Sequence, residues 1–264
     1  MKRYAIILLI LMVSVGAFAQ RQALVIGNSG YGGNELSTSL NDAQLVADAF
    51  AVMDYQVTLH KDLGYEEMYQ AINEFKKGLK SHDVAVFYYA GYTKQVSGKN
   101  YLIPFSENKI KNLDDKLISV DVVLEALTRA DYSFMFLESR QLPKGFFKSL
   151  CAADSGLAPI QKLGDNQGFA MAQQVGKHLT SQGVRYSIFT HSLMKFMGND
   201  MRDFHDLLNL VQTEVKEYSN GKQVPYFQGN LRAPFTFWEP IQNLKYRFHM
   251  PLYRGLDGGG SYNF

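Results

Sequence analysis

The 264-residue chain carries 27 Lys and Arg against 25 Asp and Glu, a formal net charge of +2. That balance lacks the basic surplus of a nucleic-acid-binding domain, so nucleic acid is not an expected partner. A composition 46% hydrophobic and 20% charged excludes a disordered chain and suffices for one sizeable α/β core.

Residues 1–19 stand apart. Lys2 and Arg3 precede an uncharged apolar run over residues 5–15, and Ala17-Phe18-Ala19 supplies small residues at the two positions a signal peptidase reads. The pattern predicts a secretory signal peptide cleaved before Gln20, and an exported mature protein, periplasmic or extracellular. A membrane anchor is the rival reading. The run falls short of the roughly 20 apolar residues a spanning helix needs, so no stable span is expected after cleavage. No Cys follows the cleavage site, so a lipid-attached N-terminus is not expected. Cys151 is the only cysteine, which leaves no intramolecular disulfide and puts the burden of stability on packing.

After the cleavage site, residues 23–28 form a continuous apolar run ending in turn residues, the pattern of a strand buried on both faces. Gly30, Gly32 and Gly33 follow as a loop, and Ser39 or Asn41 can cap a helix bearing Leu45, Val46, Ala49, Phe50 and Met53. A strand over 55–59 precedes a helix over 65–79 with Met68, Ile72, Phe75 and Leu79 on one face. Residues 84–90 read as a central strand, 100–104 as a short extended segment, 120–130 as a helix and 133–137 as a fourth strand. A long loop over 140–167 leads to a strand at 169–173, helices at 186–197 and 203–218, and extended segments at 224–228 and 235–238. Strands alternating with amphipathic helices predict an α/β fold with an open, mostly parallel sheet covered on both faces. Residues 20–240 read as one domain and 241–264, with Gly258, Gly259 and Gly260, as a poorly ordered C-terminal tail.

Two segments carry the chemistry. Phe87-Tyr88-Tyr89-Ala90-Gly91-Tyr92-Thr93 resembles the F-Y-Y-A-G-H-G of the caspase-like cysteine peptidases, which carries the catalytic His. Phe136-Leu137-Glu138-Ser139-Arg140-Gln141-Leu142-Pro143 resembles their L-D-A-C-R-N-N-P, which carries the nucleophilic Cys. Leu40-Asn41-Asp42-Ala43, Asn100-Tyr101-Leu102-Ile103-Pro104, Ser155-Gly156-Leu157-Ala158-Pro159, Ser187-Ile188-Phe189-Thr190, Gln223-Val224-Pro225 and Phe235-Thr236-Phe237 resemble further family segments in the same order. The resemblance spans the mature domain and implies a caspase-like α/β/α sandwich.

Aligned without a gap, the resemblance puts Tyr92 in place of the His, Ser139 in place of the Cys, and Leu137 in place of the Asp that pairs with a substrate Arg or Lys. Ser139 follows Tyr92 by 47 residues, close to the family's roughly 50. A one-residue slip would instead let Glu138 play the acid. A phenol of pKa about 10 is a donor near pH 7, not a base, and a serine hydroxyl depends on its base. Loss of such a coupled unit costs on the order of 10⁶ in turnover in a serine protease. No catalytic residue is therefore expected. Thr93 also places bulk where the family has Gly.

Cys151 in the long loop reads as a structural thiol; His82, His178 and His191 read as packing or surface histidines, and Asp114-Asp115 is too little for calcium. The six histidines show no metal spacing and no glycine pattern marks a dinucleotide site, so neither metal nor cofactor is expected. The leading expectation is an exported caspase-like pseudopeptidase that binds or scaffolds. Its partner would be a polypeptide segment or an active peptidase relative, held in a groove lined by Tyr88 or Tyr89, Tyr92, Leu137, Glu138, Ser139 and Arg140. The alternative is an endopeptidase of unusual mechanism with Ser139 as nucleophile.

Overall fold

In a computed structural model of the chain, the structure describes residues 19–31, 34–106, 116–141, 156–177, 185–199 and 202–238. The expected tail, Cys151, His178 and Asp114-Asp115 lie outside them, as do all but the last residue of the expected signal peptide.

The expected buried runs do form the sheet. β1 (Arg21–Gly27) pairs in parallel with β4 (Gln56–Lys61) and with β5 (Val84–Val96), and β5 pairs in parallel with β8 (Tyr132–Gln141). β9 (Gln167–Met171) continues the parallel order beyond β8, and β10 (Tyr226–Asn230) closes that edge antiparallel. The order is thus β4-β1-β5-β8-β9-β10. Two short strands, β2 (Gly30–Tyr31) and β3 (Asn34–Glu35), form a separate ribbon in the loop after β1.

Helices cover both faces, as the absence of period-2 alternation in β1 and β5 requires. On one face lie α1 (Ser39–Val52), α4 (Ile188–Asn199) and α5 (Phe204–Tyr218), which bury Phe50, Phe189, Leu193, Leu207 and Val211 against Val25, Tyr88, Phe134 and Phe136. On the other lie α2 (Tyr65–Gly78) and α3 (Val120–Leu127), which bury Met68, Ile72, Val123 and Leu127 against Ile26, Phe87, Tyr89 and Leu137. α5 starts on a strong cap, the Asp203 carboxylate accepting from the N–H groups of His205 and Asp206 at 2.9 and 3.0 Å. α1 instead has Thr38 at its N-cap without a side-chain cap bond. Ser39 and Asn41 therefore sit inside its first turn rather than capping it.

The largest departure from the sequence reading lies in β5 and β8, which run well past their expected ends at 90 and 137. Ser97 and Gly98, both at positive φ (49° and 78°), make a two-residue turn that folds β6 (Lys99–Leu102) back along the end of β5. β6 replaces β1 on that flank of β5 from Thr93 onward, while β8 follows β5 along the other flank. The second strand of that hairpin also pairs with β7 (Ile118–Ser119). Thr93 is accordingly a buried ladder residue whose Oγ1 donates to the Arg140 carbonyl, and no turn exists there for it to crowd.

The 235–238 segment is extended but unpaired apart from an isolated bridge between Asp203 and Thr236. Its phenylalanines lock the α1/α4/α5 layer: the Phe134 ring lies 4.5, 4.6 and 5.2 Å from those of Phe235, Phe237 and Phe204. Phe134→Ala removes the common member of these pairs and is expected to cost about 3–5 kcal/mol of unfolding free energy. Urea denaturation of the two proteins checks it.

Candidate functional site

The site is built where β1 ends and β5 and β8 continue. Gly27, Ala90 and Glu138 form one row across three strands, since Gly27 pairs with Ala90 and Ala90 with Glu138. Gly27 has to be glycine, because a Cβ there would lie 2.6 Å from Ala43 Cβ and 2.8 Å from the Ser39 carbonyl. That close approach brings the first turn of α1, with Asp42, down onto the sheet. Ala90 leaves open space beside it, into which the longer Glu138 side chain fits.

Asp42, Glu138 and Arg140 thus gather in the interior under the starts of α1 and α4, at 0%, 3% and 8% exposure. The Asp42 Oδ1 accepts from the Ser187 N–H at 2.8 Å, and the Tyr88 and Thr190 hydroxyls share a 2.6 Å hydrogen bond alongside. Asp42 Oδ2, both Glu138 carboxylate oxygens and Arg140 Nη2 are buried without a hydrogen-bond partner. Burial pushes the Glu138 carboxyl up to about 8, the negative charge of Asp42 adding to the rise and the Arg140 guanidinium opposing it. Burial likewise lifts Asp42 to about 7 against hydrogen bonds from Ser187 and Thr38 and the field of Arg140. Tyr88 is raised by burial and by both carboxylates.

Between the end of β1 and the start of β6, the flank of β5 has a gap in its ladder at Gly91 and Tyr92. Tyr31 fills it. The Tyr92 N–H donates to the Tyr31 hydroxyl at 3.1 Å, and the Tyr92 carbonyl accepts from the Ile103 N–H at 3.0 Å and the Tyr89 hydroxyl at 2.9 Å. The ring of Tyr31 meets that of Tyr92 edge-on at 4.7 Å. A Cβ on Gly91 would strike the hydroxyls of Tyr89 and Tyr31, at 2.4 and 2.7 Å, so this position too excludes a side chain. Every backbone group in the gap has a partner, as burial demands.

Pairing decides which site residues meet. Tyr92 pairs with Arg140 and Gly91 with Ser139, so Tyr92 and Arg140 project from the same face as Ala90 and Glu138. Ser139 projects from the opposite face, with Leu137. There its hydroxyl accepts from the Gln173 amide at 2.9 Å and lies 3.3 Å from that amide's oxygen, fully buried. The structure therefore does not bring Tyr92 and Ser139 together. Burial raises the Tyr92 phenol, opposed by Arg140, which takes it further from acting as a base.

The expected groove loses its walls. Leu137, Tyr88 and Tyr89 are 0% exposed and belong to the two cores, because β5 and β8 are covered on both faces through these positions. Both strands also run on past the site, so positions 92 and 139 lie within paired strand and not in turns beyond it. His82 sits near the start of β5, 3.8 Å from Asp83. His191, on α4, has its imidazole lowered by burial, with the nearby Glu214 opposing. Among the described residues no group of three or more His, Cys, Asp and Glu could hold a metal ion. Asp42, Tyr31, Gln173 and Ser187 are the contributors that sequence reasoning passed over. For Asp42 a signal existed, an acid inside a segment that resembles the family.

The caspase-domain model of the peptidase C14 family matches residues 20–236, and the chain belongs to that family. Its α/β sandwich and mostly parallel sheet are those of a caspase-like domain. No curated protein matches the chain.

The acid cluster has a pH signature. A carboxyl whose folded pKa is raised contributes its stability fully below its unfolded pKa of about 4 and loses it as pH rises through the folded value. The melting temperature is therefore expected to fall as pH rises from 5 to 9 through the values near 7 and 8. Glu138→Gln, which mimics the protonated acid, should match the wild type at pH 5 and melt higher at pH 9. Thermal melts of both proteins across that range check it.

Proposed function

We propose that this protein is an exported caspase-domain protein without peptidase chemistry, serving as a polypeptide-binding or scaffolding module. One observation carries the reading: the strand positions that face each other across β5 and β8 hold Tyr92 and Arg140. A caspase-like dyad needs a base and a nucleophile side by side. Tyr92 occupies the His position of F-Y-Y-A-G-H-G, and its register partner is a permanently protonated guanidinium. With Arg140 at the nucleophile position, Leu137-Glu138-Ser139-Arg140 aligns with L-D-A-C, and Glu138 takes the place of the acid. Neither member of the facing pair can attack a carbonyl or accept a proton from a group that does.

Ser139 lends no support to the serine-nucleophile alternative, since its hydroxyl is engaged by Gln173 on the face away from Tyr92. The two-sided core around these substitutions favours a role carried by shape and surface, with a polypeptide segment or an active peptidase relative as partner. The charged, apolar and small-residue succession of residues 1–19 supports export. No helix among the described residues is long and apolar enough to cross a membrane.

Purified protein is expected to show no labelling by peptide-based serine or cysteine probes directed at Arg, Lys or Asp, and no cleavage of the matching peptides. Labelling or turnover that disappears in Ser139→Ala would overturn the reading and establish the alternative.

A further inference from the structure

Charges in a protein interior are costly unless they offset one another. Asp42, from α1, and Glu138, from β8, bring three unpartnered carboxylate oxygens to one buried place, and Arg140 brings an unpartnered Nη2. Glu138 and Arg140 leave the same face of β8 two residues apart, and Asp42 is held opposite them by the Gly27 contact with α1 and by the Ser187 N–H. The neighbouring hydroxyls are already occupied, Tyr88 with Thr190. The field of Arg140 reaches Asp42, Glu138 and Tyr92, the acidic groups that face it from α1, β8 and β5.

We propose that Asp42 and Glu138 form a two-carboxylate cation site and that Arg140 is its built-in occupant, so that the chain supplies its own guanidinium and closes the site to basic groups from outside. The inference concerns cation binding, goes beyond the absence of hydrolysis, and is read out without any peptidase substrate or probe. Its chemistry is specific: a planar guanidinium donates to several oxygens at once, which a compact ammonium or a sodium ion does not.

Removing the occupant should open the site to a free guanidinium. In thermal melts at pH 8, Arg140→Ala is expected to melt below the wild type and to regain stability with millimolar methylguanidinium chloride, beyond the effect of equal sodium chloride. The wild type and the Glu138→Gln, Arg140→Ala double variant should not respond. A wild type that responds as much as Arg140→Ala, or a folded Arg140→Ala that does not respond, overturns the proposal. Should Arg140→Ala fail to fold, the volume-conserving Arg140→Met supplies the test in a double-mutant cycle. The proposal expects Arg140→Met to lower the melting temperature much less in a Glu138→Gln background than in the wild type. Equal losses in the two backgrounds overturn it.

Discussion

The parallel register between β5 and β8 is the constraint on which the rest of the site depends. Ten consecutive pairs run from Val84 with Tyr132 to Thr93 with Gln141. Side chains alternate strictly along a strand, so a shift by one residue would send every group to the other face. The register is pinned from both sides at once: Phe134 and Phe136 fill the α1/α4/α5 layer while Met135 and Leu137 fill the α2/α3 layer. Those four residues decide that Glu138 and Arg140 emerge beside Tyr92 and that Ser139 does not. The chemistry of the site is thereby set by hydrophobic packing several residues away.

The same constraint explains how so much polarity is tolerated in the interior. Glycine at position 27 and alanine at position 90 open a low row on the sheet, and the first turn of α1 settles into it. Asp42 and Glu138 then face a cation rather than each other alone. A pair of carboxylates in such a place resists double ionisation, and a fixed guanidinium lowers that resistance without removing it. Tyr31 performs the complementary task on the other flank of β5, supplying a hydroxyl where the ladder has no strand to offer.

Much of the fold was legible because continuous apolar runs between amphipathic helices admit few arrangements, and the family resemblance fixed their order. The identity of the facing residue was not. A strand buried on both faces carries no period-2 signal, so nothing in Phe136-Leu137-Glu138-Ser139-Arg140 says which residues look toward Tyr92. The ends of β5 and β8 were also hidden, since Tyr92 to Val96 and Glu138 to Gln141 are polar enough to read as turns; only the Ser97-Gly98 pair hinted at a hairpin. Asp42 was overlooked for a related reason. An acid in the first turn of a helix is ordinarily a solvated partner of the helix dipole, and its burial follows from a glycine fifteen residues earlier.

The central claim is that Arg140, and not Ser139, faces Tyr92. In a Cys151→Ser background, a histidine introduced at position 92 can lower the pKa of a thiol only where the two side chains meet. The pH dependence of iodoacetamide alkylation reads this directly. For Arg140→Cys, adding Tyr92→His should move the thiol's titration to lower pH. For Ser139→Cys, the same addition should leave it unchanged. Activation of the thiol at position 139 with none at position 140 would contradict the account.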